Sequence, residues 1–131
     1  MTTTTVSNVV IFLNNNEFDD VTIKGVNEQE MVKGEVLMYD SSDNTYVSYT
    51  GAADTIPVAI YAGPNHAFAT GSLTKANSPI CKGGEVDPDK LTLPAAASGS
   101  IDARPNSAAY SIREYLRQWG IYANDLNQLS S

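Results

Sequence analysis

Two strand-forming stretches, joined by a short run of turn-forming residues, dominate the middle of the chain. Residues 35–39 read Glu-Val-Leu-Met-Tyr and residues 45–50 read Thr-Tyr-Val-Ser-Tyr-Thr, so both are rich in β-branched and aromatic side chains. Between them, residues 40–44 read Asp-Ser-Ser-Asp-Asn, whose short side chains hydrogen-bond to nearby backbone and favour turns. The pattern predicts a β-hairpin.

Further short strands are predicted on both sides of this hairpin. Residues 20–25 alternate polar and apolar, as a half-buried strand does, and residues 56–62, 66–70, 78–82 and 91–94 are short stretches bounded by turn residues. Pro57 has no N–H, so it belongs near the start of its strand or at a sheet edge. Gly83 and Gly84 are expected to form a turn. The predicted fold is mainly β (α+β), a small β-rich domain with hairpins.

One amphipathic helix is predicted near residues 107–119, after a small-residue linker at residues 94–100. Its apolar side chains recur at the spacing of one helix face, and this stripe is expected to pack on the sheet as core, with a partner-binding face as the alternative. Asn106 or Ser107 is expected to cap the start, and Gly120 suits the left-handed position after the end. The stripe consists of Ile112, Tyr115, Leu116 and Trp119.

The first thirteen residues are interpreted as a flexible N-terminal arm. Residues 1–8 are polar and uncharged, so they have little to bury, whereas residues 9–13 form a continuous apolar run that ends at three asparagines, residues 14–16. Two alternatives stay open for this run: a strand of the domain core, or a segment that adds to the sheet of a partner. The predicted organisation is an arm, residues 1–13, and a single β-rich domain, residues 14–131.

Charge and hydropathy exclude several kinds of partner. The chain has eight Lys and Arg residues and fifteen Asp and Glu, a formal net charge of −7, and no cluster of cations that could neutralise phosphates. We therefore expect no nucleic acid partner. The longest apolar run has five residues, far fewer than the roughly 20 that cross a membrane, and no Lys or Arg precedes it as in a signal peptide. With one cysteine the chain cannot form an internal disulfide, so it is expected to be made in a reducing compartment, the cytosol, or to be stabilised by something other than cross-links.

The reactive side chains argue against an enzyme. His66 is the only histidine, which excludes a multi-histidine metal site, and it is expected at the surface at the start of a strand. Cys81 is expected to be a small buried apolar residue. Glu85, Asp87 and Asp89 have the spacing of a calcium loop, but a proline interrupts them, so we expect a solvated turn. No catalytic residue, cofactor or metal is predicted.

Three motifs follow one another through about half of the chain. Residues 36–51 form a strand with Leu37 and Asp40, a polar turn, then an aromatic stretch that ends in glycine. Residues 56–62 read Ile-Pro-Val-Ala-Ile-Tyr-Ala, and residues 80–94 contain Lys82, a glycine pair and Leu-Thr-Leu-Pro. In this order they resemble the head-decoration (capsid-stabilising) proteins of lambdoid tailed bacteriophages. Ala59 stands where that family usually has glycine, Leu93 replaces its tryptophan, and the helix lies beyond its short form.

The resemblance implies a mostly β, non-enzymatic protein that stabilises the phage head. It implies a homotrimer bound to the major capsid protein at threefold and quasi-threefold positions on the outside of the expanded head, so the chain is expected on the outer surface of the virion. In that family an N-terminal arm orders against the shell. The candidate capsid-binding residues are the apolar ones of the arm: Val6, Val9, Val10, Ile11, Phe12 and Leu13.

An alternative function is a phage tail or surface β module that binds a carbohydrate or a host protein. Exposed aromatic side chains would favour it, and Tyr46, Tyr49 and Tyr61 are the candidates. Alternation along the strand places Tyr46 and Tyr49 on opposite faces, so these side chains are not expected to form one platform.

Overall fold

A computed structural model describes residues 11–124, and most of their regular structure is β-strand. The strands, in chain order, are β1 (Phe12–Lys24), β2 (Glu30–Met31), β3 (Val36–Asp40), β4 (Thr45–Ser48), β5 (Ala59–Tyr61), β6 (His66–Ala67), β7 (Thr74–Val86) and β8 (Ile121–Ala123). The helical elements are α1 (Ile112–Gln118) and short 3-10 turns at Pro88–Lys90, Ala95–Ala97 and Pro105–Ser107. The predicted mainly β fold with one helix near the C-terminus is confirmed.

Five of the strands close into a ring, which we call the barrel. β1, β4, β3, β5 and β7 are neighbours in that order, and β7 pairs again with β1. The β1–β7 pairing is antiparallel and runs from Phe12 opposite Val86 to Lys24 opposite Thr74. β1 and β4 meet in parallel at a single pair of residues. β8 adds to β7 in parallel outside the ring, and β2 and β6 form a separate two-stranded sheet.

Alternate residues of the central strands contribute to two apolar clusters. On β3, Val36 belongs to one cluster and Leu37 to the other, because successive side chains of a strand point to opposite faces. The first cluster includes Ile112 of α1, so the helix covers one face of the sheet. The second contains large side chains such as Tyr61 and Phe68, which are at most 2% exposed. The sheet is therefore buried on both faces.

The strands around the hairpin match the prediction in position more than in length. The hairpin itself is confirmed, with β3 and β4 in register from Leu37 opposite Ser48 to Asp40 opposite Thr45. Within residues 56–62, β5 spans only Ala59–Tyr61, so the proline precedes the strand as expected. Residues 91–94 contribute one isolated bridge instead of a strand.

Two predicted breaks lie inside long, bulged strands. The asparagines at residues 14–16 end the apolar run but not the strand, because register shifts let β1 continue through them to Lys24. Gly83 and Gly84 form no turn and lie within β7, so that prediction is wrong. Gly84 has a φ of +97°, and a Cβ there would approach the Asn15 carbonyl oxygen to 2.5 Å. Only glycine permits this close contact between β1 and β7.

Helix α1 begins later than predicted. Ser111 caps it, because its Oγ accepts a hydrogen bond from the Glu114 N–H at 3.1 Å. Asn106 and Ser107, the predicted caps, have left-handed φ angles and lie in the preceding 3-10 turn, so that prediction is wrong. Gly120 follows the helix with a φ of +89°, as predicted.

The apolar stripe of the helix is buried only in part. Ile112 and Leu116 are fully buried and Tyr115 is partly buried, as expected for a core face. The expectation that Trp119 belongs to the core is wrong, because its side chain is 56% exposed. The helix ends at Gln118 and Trp119 is its C-cap residue, so the side chain lies past the last turn that packs on the sheet.

Candidate binding groove

The described part of the predicted arm belongs to the barrel. Ile11 is 3% exposed, and its carbonyl oxygen accepts a hydrogen bond from the Asp87 N–H at 2.9 Å. Phe12 and Leu13 are partly buried members of β1, with Phe12 opposite Val86. The arm boundary at residue 13 is thereby corrected, since the core-strand alternative holds for residues 11–13. The remaining predicted capsid-binding residues, Val6, Val9 and Val10, lie outside the described range.

Both ends of the described chain lie at the same end of β7. On one side of the strand, Ile11 bonds to Asp87; on the other, the Asn124 N–H donates to the Val86 carbonyl oxygen at 3.0 Å. Residues 1–10 and 125–131 are therefore attached to the barrel at one place. We call this surface, made of Ile11, Val86, Asp87 and Asn124, the terminal pole.

The side chains considered for catalysis do not converge. His66 begins β6, partly buried, with its ring 4.8 Å from that of Phe68 in an edge-to-face contact. Cys81 is fully buried, and burial raises the pKa of its thiol, which keeps it protonated. Asp87 is 4% exposed, so the expectation of a solvated side chain is wrong there, and its carboxylate accepts a hydrogen bond from the Asp89 N–H at 3.0 Å. Within residues 11–124, no group of three His, Cys, Asp or Glu side chains can hold a metal.

An apolar groove of about 440 Å³ lies where the hairpin, the loop before β5 and the end of α1 meet. Three of its large side chains are well exposed: Tyr39 at 44%, Ile56 at 44% and Trp119 at 56%. Large exposed apolar side chains gathered in one concave place are typical of a binding site. We call this surface the aromatic groove; its apolar residues are Met38, Tyr39, Tyr46, Ile56, Val58 and Trp119.

The hairpin register brings two tyrosines together in this groove. Tyr39 on β3 lies directly opposite Tyr46 on β4, and their ring centroids are 5.1 Å apart with the planes tilted by 56°. The Tyr39 hydroxyl is also hydrogen-bonded to the Asn44 side-chain oxygen, in the turn of the same hairpin. Cross-strand contact and this bond hold the pair in place before any ligand binds.

Polar groups lie among the apolar residues of the groove. Asp54 supplies a carboxylate, Thr55 a hydroxyl and Lys82 an ammonium group. The Thr55 hydroxyl donates to the Ala52 carbonyl oxygen at 2.5 Å, which leaves its oxygen able to accept. Lys82 forms an exposed ion pair with Asp19 at 3.5 Å, a weak interaction that solvent screens. The lining contains one carboxylate and one ammonium, so its formal charges cancel.

Of the three tyrosines that the sequence suggested as ligand-binding aromatics, one lines the groove and two are buried. Tyr46 lines the groove. Tyr49 is 3% exposed, and Tyr61 is fully buried with its hydroxyl donating to the Pro64 carbonyl oxygen at 2.6 Å. Burial raises the pKa of both of these phenols. Tyr49 and Tyr61 are therefore core residues with no exposed face for a ligand.

Sequence reasoning named Tyr46 and missed two exposed residues of the hairpin and loop, Tyr39 and Ile56. Tyr39 had a signal, because the register of the predicted hairpin places it beside Tyr46. Ile56 had none, and Trp119 was named only within the helix stripe, whose alternative role was a partner-binding face; only the tertiary structure brings both to the hairpin.

The sequence matches no protein-family model, and no functionally curated protein is significantly similar to it. No helix in residues 11–124 is long and apolar enough to cross a membrane. Function is accordingly inferred from the residues and their geometry.

Proposed function

We propose that this protein is a capsid decoration (cement) protein that binds the outside of an expanded phage head as a homotrimer at threefold and quasi-threefold positions. The observation that carries the proposal is the content and order of the three motifs in residues 36–94. The first motif lies on β3 and β4, the second includes β5, and the third starts in β7. These strands are neighbours in the order β4, β3, β5, β7. The resemblance therefore covers one continuous part of the sheet.

The terminal pole is the surface that we assign to shell attachment. Residues 1–10 join the barrel at Ile11, and six of these ten are Thr, Ser or Asn; the apolar ones are Met1 and the valines at 6, 9 and 10. Ordering such a segment costs about 1–2 kcal/mol per residue, which contacts within a short polar stretch do not offset. Strand addition to an exposed sheet edge of the capsid protein would supply backbone bonds and a place for the valines.

The pairing of β1 explains how such an arm would hold the barrel on the shell. Residues 11–13 are held by the pairing of β1 with β7, so tension on the arm is transmitted to the barrel. A protein that binds the assembled shell better than the free subunits stabilises the shell by mass action. At a free concentration one hundred times the dissociation constant, the gain is about 2.7 kcal/mol per site.

The proposal is tested by electron cryo-microscopy of expanded heads of the phage that encodes this protein. The heads are assembled in the absence of the protein. After the full chain is added, we expect density at the threefold and quasi-threefold positions and a higher temperature of head rupture. Heads that show no added density and rupture at an unchanged temperature would overturn the proposal and favour the tail or surface module.

Two truncations test the assignment of the terminal pole. Removing residues 1–10 should preserve the folded barrel and weaken shell binding by at least about tenfold, a change of about 1.4 kcal/mol. Removing residues 125–131, the other segment attached at this pole, is the matched control and should leave shell binding within about twofold. Full binding without residues 1–10 would move the contact to another face of the barrel.

A further inference from the structure

We propose that the aromatic groove binds an uncharged oligosaccharide, an activity separate from shell attachment. The groove and the terminal pole occupy different parts of β7: Lys82 lines the groove, and Val86 belongs to the pole. Four residues along a strand correspond to about 13 Å. A protein attached through its terminal pole therefore has room to bind a second ligand in the groove.

The aromatic side chains suit the apolar faces of sugar rings. An aromatic ring has a negative face, which attracts the slightly positive C–H groups that cover one side of a pyranose. Tyr39, Tyr46 and Trp119 bring three such rings to one groove, and Tyr39 and Trp119 are about half exposed in the free protein. Tyrosine and tryptophan have only two side-chain torsions each, so little conformational freedom is lost when a ligand covers them.

The polar side chains of the groove distinguish a saccharide from an apolar protein segment. Asp54 and Thr55 supply hydrogen-bond acceptors, and Lys82 supplies donors. Sugar hydroxyls both donate and accept, so they can satisfy all three groups. The apolar side chains of a protein segment would cover the same groups without replacing their bonds to water, which is costly.

Volume and charge narrow the class of saccharide. About 440 Å³ falls within the range of roughly 300–1,000 Å³ typical of small-molecule sites. The chain has a net charge of −7, which disfavours the approach of acidic polysaccharides, and the groove adds no net positive charge to attract them. The ligand chemistry that fits is a short, uncharged chain of sugar rings.

Intrinsic fluorescence provides a direct assay, because Trp119 is the only tryptophan in the chain and it lines the groove. The full-length protein is titrated with maltohexaose, cellohexaose and the hexamer of N-acetylglucosamine. We expect at least one of them to change the Trp119 emission saturably, with a dissociation constant of about 1 mM or lower. A hexamer of galacturonic acid, which is anionic, should have no effect.

Variants of exposed side chains identify the site. By calorimetry, Tyr39→Ala and Trp119→Ala should each weaken binding by about tenfold, whereas Trp119→Phe keeps an aromatic face and should bind within about threefold of the native chain. Tyr110→Ala is the matched control, because Tyr110 is 49% exposed and makes an edge-to-face contact with Tyr115 outside the groove. Thermal melting checks that each variant is folded.

The outcomes separate this inference from the proposed function. No saturable response to any of the three neutral hexamers would overturn the inference, as would equal binding of the anionic hexamer. If Tyr39→Ala and Trp119→Ala abolish shell binding and no sugar binds, the groove is a capsid contact, and only the inference fails. Sugar binding by a protein that gives no density on heads would support the inference and overturn the proposed function.

Discussion

Truncation at two neighbouring points tests the corrected arm boundary. One variant lacks residues 1–10 and keeps Ile11; the other lacks residues 1–13. The second variant loses the Ile11 side chain, which is 3% exposed, and the 2.9 Å hydrogen bond from the Asp87 N–H. It also loses the edge-to-face contact of Phe12 with Phe18, whose ring centroids are 5.3 Å apart. We expect the first variant to be as stable as the full chain and the second to be much less stable.

The expected decrease in the free energy of unfolding follows from these contacts. Removing a buried isoleucine side chain costs about 2–5 kcal/mol, a lost hydrogen bond about 1 kcal/mol, and an aromatic contact about 0.5–1.5 kcal/mol. The expected loss in the free energy of unfolding is about 3.5–7.5 kcal/mol, close to the whole stability of many small domains. At about 4 °C per kcal/mol for a chain of this length, the Tm should fall by about 14–30 °C.

Thermal melting by circular dichroism, with urea unfolding as a second measure, checks this expectation. The variant lacking residues 1–10 should melt within about 2 °C of the full chain. Ile11→Ala, which introduces no new chain end, should reproduce a loss of about 2–5 kcal/mol. Equal melting temperatures for the two truncations would refute the reasoning, because residues 11–13 would then be an arm and not a core strand.

Four further predictions concern the core and its titrating groups. Leu116→Ala should lower the free energy of unfolding by about 2–5 kcal/mol, and Trp119→Ala should lower it by less than about 1 kcal/mol. In the native chain, Trp119 should show solvent-like emission. The reverse order of the two variants in urea unfolding would contradict the observed burial. Gly84→Ala should lower the free energy of unfolding by more than about 2 kcal/mol, because the added Cβ would meet backbone oxygens of β1. An unchanged melting temperature would show that β1 can move away. Burial raises the pKa of the Cys81 thiol, so iodoacetamide should label it only in denaturant, and rapid labelling of the native protein by mass spectrometry would disprove its burial. Burial also raises the pKa of Tyr61 above its value in the unfolded chain, which is near 10. The unfolded state therefore loses this proton first, and the free energy of unfolding should fall as the pH rises above about 10. Urea midpoints that do not fall in that range would exclude this linkage.

Features that depend on near neighbours were predictable from the sequence. The hairpin of β3 and β4 is one, because Asp40 accepts a hydrogen bond from the Ser42 N–H within the turn itself. Gly120 is another, since the left-handed conformation after a helix depends only on the missing Cβ. The burial of Ile112, Leu116 and Cys81 also followed from local pattern and side-chain type.

Features that depend on distant pairing were not predictable in the same way. The asparagines at residues 14–16 and the glycine pair at 83 and 84 have strong local turn preferences, yet both lie inside strands. The Asn16 side chain donates to the Glu85 carbonyl oxygen at 3.0 Å, a contact between residues far apart in the chain. Many such contacts between β1 and β7 outweigh the local preference of a few residues.

The sequence by itself determined the β character of the chain, its central hairpin and the existence of one short amphipathic helix, because these follow from periodicity and turn chemistry over a few residues. The capsid-binding role of the arm residues remains a prediction from the resemblance. Only the tertiary structure decided that Ile11 is core, that Trp119 is exposed, and that Tyr39, Ile56 and Trp119 share one groove. The physical reason is that burial and proximity depend on where the sheet ends and which distant segments it brings together, and neither is encoded within a short stretch of sequence.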